Sequence, residues 1–217
     1  MPIKLGLDLV MTLLFVTSLA FRITGSAPHE WIGMVLCVLF VTHCIINRRW
    51  FGNLFSGRYG MRRALNTSIN LGLLAVMLIL CLCGIANSDH VFGFLHFTGG
   101  MKFRQIHSLM AYWGLVLIGI HAGIHWRVVI NTTRKLAGIS GENKLRTAVL
   151  RLSAVTLVVF GVWASFDRDM GSKLFLGFSF DFWDPSRPIV LFFVSDLAIL
   201  GIYACLTHLA FKFRRKR

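Results

Sequence analysis

Eight histidines occur in the chain, and four of them form two pairs with one spacing. His29 and His43 are 14 residues apart, and so are His107 and His121. At about 100° per residue, 14 residues return to the same helix face within about 40°, displaced by about 21 Å. Each pair therefore predicts a helix with two imidazoles on one side, one near each end. A haem iron held by two axial imidazoles needs one histidine on either side of the ring. Two such helices facing each other would set His29 against His107 and His43 against His121, ligating two haem b groups at two levels. Ligation also removes the penalty of leaving an ionisable ring in hydrocarbon, where such a group is a functional candidate by default. Gly33, one turn after His29, and Gly114, midway between His107 and His121, would let a flat macrocycle approach. Arg22 and Arg104 flank one level, and Arg48, Arg49 and Arg127 flank the other. All could pair with haem propionates as charge-assisted donors.

The elements that must position these residues are membrane helices. The chain is 56% hydrophobic with only 15% charged residues, and its mean hydropathy is +0.69. Soluble domains carry about 25% charged residues. Apolar runs long enough to cross a bilayer recur over 5–21, 31–46, 68–86, 107–125, 152–166 and 188–211. The expected fold is an all-α polytopic membrane bundle of six transmembrane helices. Its four-helix dihaem core is followed by two C-terminal helices. The run 152–166 is the shortest, with Arg151 placed to snorkel from its end. Residues 1–21 read as a first span and not as a cleaved signal peptide, because cleavage would leave five spans.

Charge placement orients the bundle. Of the 23 lysines and arginines, 17 fall in 1–4, 47–67, 126–151 and 212–217. Such residues favour the cytoplasmic side, so both termini are expected inside the cell's inner membrane. His29 and His107 then lie near the outer surface. The net charge of +14 is mostly this asymmetry. It points to anionic lipid headgroups and not to nucleic acid.

The histidine helices also match in detail. "HCIINRRW" (43–50) aligns with "HAGIHWRV" (121–128) at an offset of 78, which also maps His29 to His107 and Asn47 to His125. Residues 1–130 are therefore expected to be a duplicated helix pair. Residues 131–217 would form a loop, two further helices and a basic tail.

The paired 14-residue spacing is similar to that of the dihaem cytochrome b subunits of formate dehydrogenases and hydrogenases. "LDLVMTLLFVTSLAFRITG", "THCIINRRW" and "HAGIHW" together resemble the flavinylation-associated membrane cytochrome b family, over roughly residues 5–130. The resemblance implies haem ligation by His29, His43, His107 and His121. It also implies electron exchange between a membrane quinone and a partner outside the cytoplasm, a flavoprotein or a cytochrome. The chain would be an electron-transfer subunit, a component of a quinol oxidoreductase.

Other polar residues keep two readings each. His125, one turn past His121, could replace it as ligand, hydrogen-bond a propionate, handle quinone protons or anchor at the interface. Its duplicate Asn47 is a poor ligand, which favours His121. Asp8 could take quinol protons or anchor a cytoplasmic arginine. Asp196 could serve an outer quinone site or pair with a buried donor. His90 and His96 fit a surface loop or a partner site, and His208 an interfacial anchor. The segment "FDRDMGSKLFLGFSFDFWDPSRP" could dock a basic redox partner or cap the bundle. Cys37, Cys44, Cys81, Cys83 and Cys205 read as small apolar filler. Two rival functions remain. A membrane oxidase or desaturase would use His121-x3-His125 but needs many histidines on one side of the membrane. A non-redox scaffold or transporter would show broken helices and central polar clusters, which the chain lacks.

Overall fold

A computed structural model describes residues 2–97, 99–175 and 183–213. All regular structure among them is helical: α1 (Pro2–Leu19), α2 (Phe21–Thr24), α3 (Ser26–Ile46), α4 (Arg48–Gly52), α5 (Met61–Ala86), α6 (Gly100–Leu136), α7 (Lys144–Asp167), α8 (Met170–Leu174) and α9 (Ile189–Phe213), with a 3₁₀ turn over Gly93–Leu95. Five of these, α3, α5, α6, α7 and α9, are long and apolar enough to cross a membrane. The chain is a multi-pass helical membrane protein. Large apolar side chains such as Trp31, Leu82, Val155, Val159 and Phe166 lie exposed along its helices, as contact with lipid requires.

Local chemistry sets the breaks. Gly25, at φ +83°, turns the chain from α2 into α3, a backbone shape that glycine adopts without steric cost. Pro28 follows in the first turn of α3, where its missing N–H costs nothing. Asn143 caps α7 by accepting from the Arg146 amide at 2.9 Å. That cap starts the helix eight residues before the expected 152, so α7 has 24 residues and is not a short span. Arg151 accordingly lies on an exposed face within α7 and not at its end. α6 runs for 37 residues, about 55 Å, and extends well past the predicted 125.

α1, α3, α5 and α6 form a four-helix square. α1 and α5 each pack against both α3 and α6, so the two histidine helices sit on a diagonal. Phe15 and Val16 of α1, Leu36 and Phe40 of α3, Val76, Met77 and Leu80 of α5, and Leu115 and Val116 of α6 share one buried core. α9 lies against the outer side of α6, and α7 lies against α9. Glycines permit both crossings. A Cβ at Gly119 or Gly123 of α6 would stand 2.5 Å from the carbonyl oxygens of Leu200 and Ala204 in α9. A Cβ at Gly161 of α7 would stand 2.6 Å from that of Ala198. Small residues that let backbones touch are the usual means of joining helices in lipid.

Candidate functional site

α3 and α6 run parallel, and the histidines fall at two levels. At the upper level, the rings of His29 and His107 stand 6.0 Å apart between centroids, at 74° to each other. Phe21 packs edge-on against His29 at 5.2 Å. Gly84 of α5 leaves room for His107, whose Cε1 would be 3.6 Å from a Cβ there. At the lower level, His121 and His125 stand 4.7 Å apart. His43 and Asp8 lie within electrostatic reach of both.

The ring nitrogens are used selectively. His43 Nδ1 lies 2.8 Å from Asp8 Oδ1, and His121 Nδ1 lies 2.9 Å from Asn70 Oδ1. His29 Nδ1 lies 2.9 Å from the carbonyl oxygen of Ser18. His107 Nδ1 is buried beside the Leu80 carbonyl, outside hydrogen-bonding geometry. All three acceptors take a hydrogen, so in His29, His43 and His121 Nδ1 is the donating nitrogen and Nε2 is left out of these contacts. A metal-ligating imidazole is characteristically held this way, its other nitrogen donating to a carboxylate, a carbonyl or an amide.

The three acceptors and the Leu80 carbonyl repeat in sequence. Asp8 and Asn70 are 62 residues apart, and so are Ser18 and Leu80. α1 therefore serves α3 as α5 serves α6, with "LDL" (7–9) answering "INL" (69–71). Asn70 is the site residue that sequence reasoning missed. Its signal was a polar side chain in an otherwise apolar run, made specific by its equivalence to Asp8.

The residues fit a bis-histidine haem in three respects. Two imidazole nitrogens at about 2 Å from one metal put their ring centroids about 6 Å apart, close to the His29–His107 separation of 6.0 Å. The histidine helices lie on a diagonal, so their rings meet inside the square. In His29, His43 and His121 Nδ1 is engaged by an oxygen, which leaves Nε2 as the nitrogen available to a metal. His43 and His121 share a level but make no ring contact.

Several expected roles change. Gly114 does not open towards a macrocycle, because a Cβ there would stand 2.7 Å from the Phe15 ring, which fills the space between the two levels. A Cβ at Gly33, by contrast, would meet nothing within 4 Å. Among the described residues the ion-pair partner of Asp8 is His43 and not an arginine. Arg127 lies about 120° around α6 from His121 and lines a separate cleft with Arg62 and Lys212. Arg22, Arg48 and Arg104 are exposed. Asp196 is fully buried 3.5 Å from buried Arg168, whose guanidinium sits 4.1 Å over the Phe192 ring. That is the paired-donor alternative.

His90 and His96 are exposed on the loop after α5. Glu30, next to His29, holds that loop by accepting from Ser88 Oγ at 2.6 Å and from the amides of Asp89, His90 and Val91. The proposed docking segment runs partly outside the described residues, at 176–182, as does the end of the basic tail, 214–217. The five cysteines are free thiols. Among the described residues no three or more His, Cys, Asp or Glu side chains gather as a metal cluster.

No family model matches the chain, and no curated protein or solved structure is detectably similar to it.

Proposed function

We propose that the chain is a membrane b-type cytochrome that carries electrons across the bilayer through two haems. It would resemble the flavinylation-associated membrane cytochromes. The observation that carries this reading is the repeated arrangement of four histidines, each with Nδ1 against an equivalent position of a neighbouring helix. His29 and His107 would ligate the upper haem, and His43 and His121 the lower. Each haem would supply a one-electron redox centre. The chain's own part is to fix the tautomer and orientation of each ring, and to fill the midplane with Phe15. Asp8 gives His43 a carboxylate partner, which makes that imidazole the more basic ligand. His125 stands at the lower edge, placed to exchange a proton with a quinone headgroup.

α1 would be the sixth span, completing a core over residues 1–130. The basic loops would face the cytoplasm of a cell whose inner membrane holds the protein, with both termini inside. The upper haem would then exchange electrons with an extracytoplasmic flavoprotein or cytochrome, and a quinone would complete the circuit.

The test is an absorption spectrum of detergent-purified protein, oxidised and dithionite-reduced, with haem per chain from a pyridine haemochrome assay. The expected result is a sharp low-spin b-type spectrum and about two haems per chain, falling to about one in His43→Ala. No haem after expression with ample haem supply would overturn the reading.

A further inference from the structure

Below the lower level, α5, α6 and α9 enclose a cleft of about 330 Å³. Arg62 enters it from α5, Arg127 from α6, and His208 and Lys212 from α9. None of its described lining residues is acidic. The Arg62 guanidinium lies 5.7 Å over the Phe211 ring, which ties α5 to α9 across the mouth. Three cations converging with no acidic side chain among the described lining residues repel one another and call for an anion. Ile124, Ile130 and Phe211 add an apolar wall beside the charges. Charge beside an apolar wall is the chemistry of a phospholipid, and Gly123, packed on α9, closes the cleft's inner limit. The cleft also lies at the end of the bundle where the short basic loops gather.

We propose that this cleft is a specific binding site for one anionic phospholipid. Its phosphodiester sits among Arg62, Arg127 and Lys212, and its acyl chains leave past Ile124 towards the hydrocarbon. Guanidinium groups suit this task because their planar fork takes two phosphate oxygens at once. Basic pockets between membrane helices are a recognised lipid-binding device. The inference is independent of the haem reading, since none of these residues serves either histidine level.

The test uses the full chain in a non-ionic detergent, titrated with phosphatidylglycerol, phosphatidylcholine or inorganic phosphate, with bound adducts counted by native mass spectrometry. One phosphatidylglycerol should be retained, and phosphatidylcholine should not. Each basic side chain near an anionic lipid contributes about a factor of five, so R62Q/R127Q should bind about thirty-fold more weakly. The charge-keeping R62K/R127K and the control R48Q/R49Q, altered at exposed positions of the same end, should stay within about three-fold of the parent. If the double variant elutes as aggregate, R62Q and K212Q are read singly, each with an expected loss of about five-fold. Equal retention of phosphatidylcholine would overturn the proposal, as would unchanged binding in the glutamine variants. Displacement of the lipid by millimolar inorganic phosphate would overturn it in favour of a free-phosphate site.

Discussion

If the proposed haems are present, Asp8→Asn isolates what a carboxylate does for the lower one. The change keeps an oxygen that can accept the His43 Nδ1 hydrogen across 2.8 Å, but removes the charge. A hydrogen bond to a charged partner is worth about 1.5–3 kcal/mol and a neutral one about 1 kcal/mol. The Asp8 side chain is 48% exposed, so solvent screens part of the difference, leaving about 1 kcal/mol or less. A one-electron couple shifts by about 59 mV for each factor of ten, or about 1.36 kcal/mol. The carboxylate favours the oxidised, more positive iron, so its removal should raise the lower haem's potential by about 20–40 mV. A redox titration followed at the reduced α-band, fitted with two components, reads this directly. One component should move and the other should stay. If both haems are retained and neither moves, or only the His29–His107 component moves, the pairing of Asp8 with a ligand is wrong. Asp8→Ala, which removes the acceptor altogether, should weaken retention of that haem by about 10–100-fold.

Three further outcomes follow from other contacts. His121→Gln should lose one haem while His125→Gln keeps both, measured by haem per chain; loss in His125→Gln alone would make His125 the ligand. Gly123→Leu must displace the Ala204 backbone that a Cβ would already meet at 2.5 Å. It should cost about 1–3 kcal/mol in a thermal melt, whereas Gly33→Ala, with nothing within 4 Å of its Cβ, should leave the melt unchanged. Glu30→Ala should free the amides of Asp89, His90 and Val91, seen as faster hydrogen exchange there; unchanged exchange would mean that the loop is held by other contacts.

The sequence carries the long-range geometry of the histidine helices because a periodic pattern on a helix is a statement about faces. His29 and His107 share a level since 14 residues close on one face in both helices. It could not carry what depends on lateral packing. Gly114 looked like room for a macrocycle, yet glycine in a membrane helix admits a cofactor or a neighbouring side chain equally well, and here Phe15 takes the space. The two glycines bracketing His121 were a helix-crossing signal of the small-xxx-small kind, which the nearby imidazoles obscured. Arg127 was assigned by depth along α6, but its angular position sends it to the α9 side.

The duplicated pair is most informative where its halves differ. The partners on α1 and α5 repeat at 62 residues, while the histidines on α3 and α6 repeat at 78. The second pair therefore has a longer upper connection, from Asn87 to Gly99 against the short turn at Gly25. That longer connection is held by Glu30, the neighbour of His29, so the extra chain is anchored beside the upper histidines of the other half. At the lower level the difference is chemical. His43 faces a carboxylate and His121 an amide, and the position of Asn47 becomes His125. Asn47 is occupied in bonding Lys4 Nζ at 2.9 Å, which ties α1 to α3. His125 stands against the His121 ring instead. A bundle kept only for packing would have no reason to make its two lower imidazoles inequivalent. A bundle that passes an electron inward and meets a proton there would need one ligand held by a charge and a second imidazole close by.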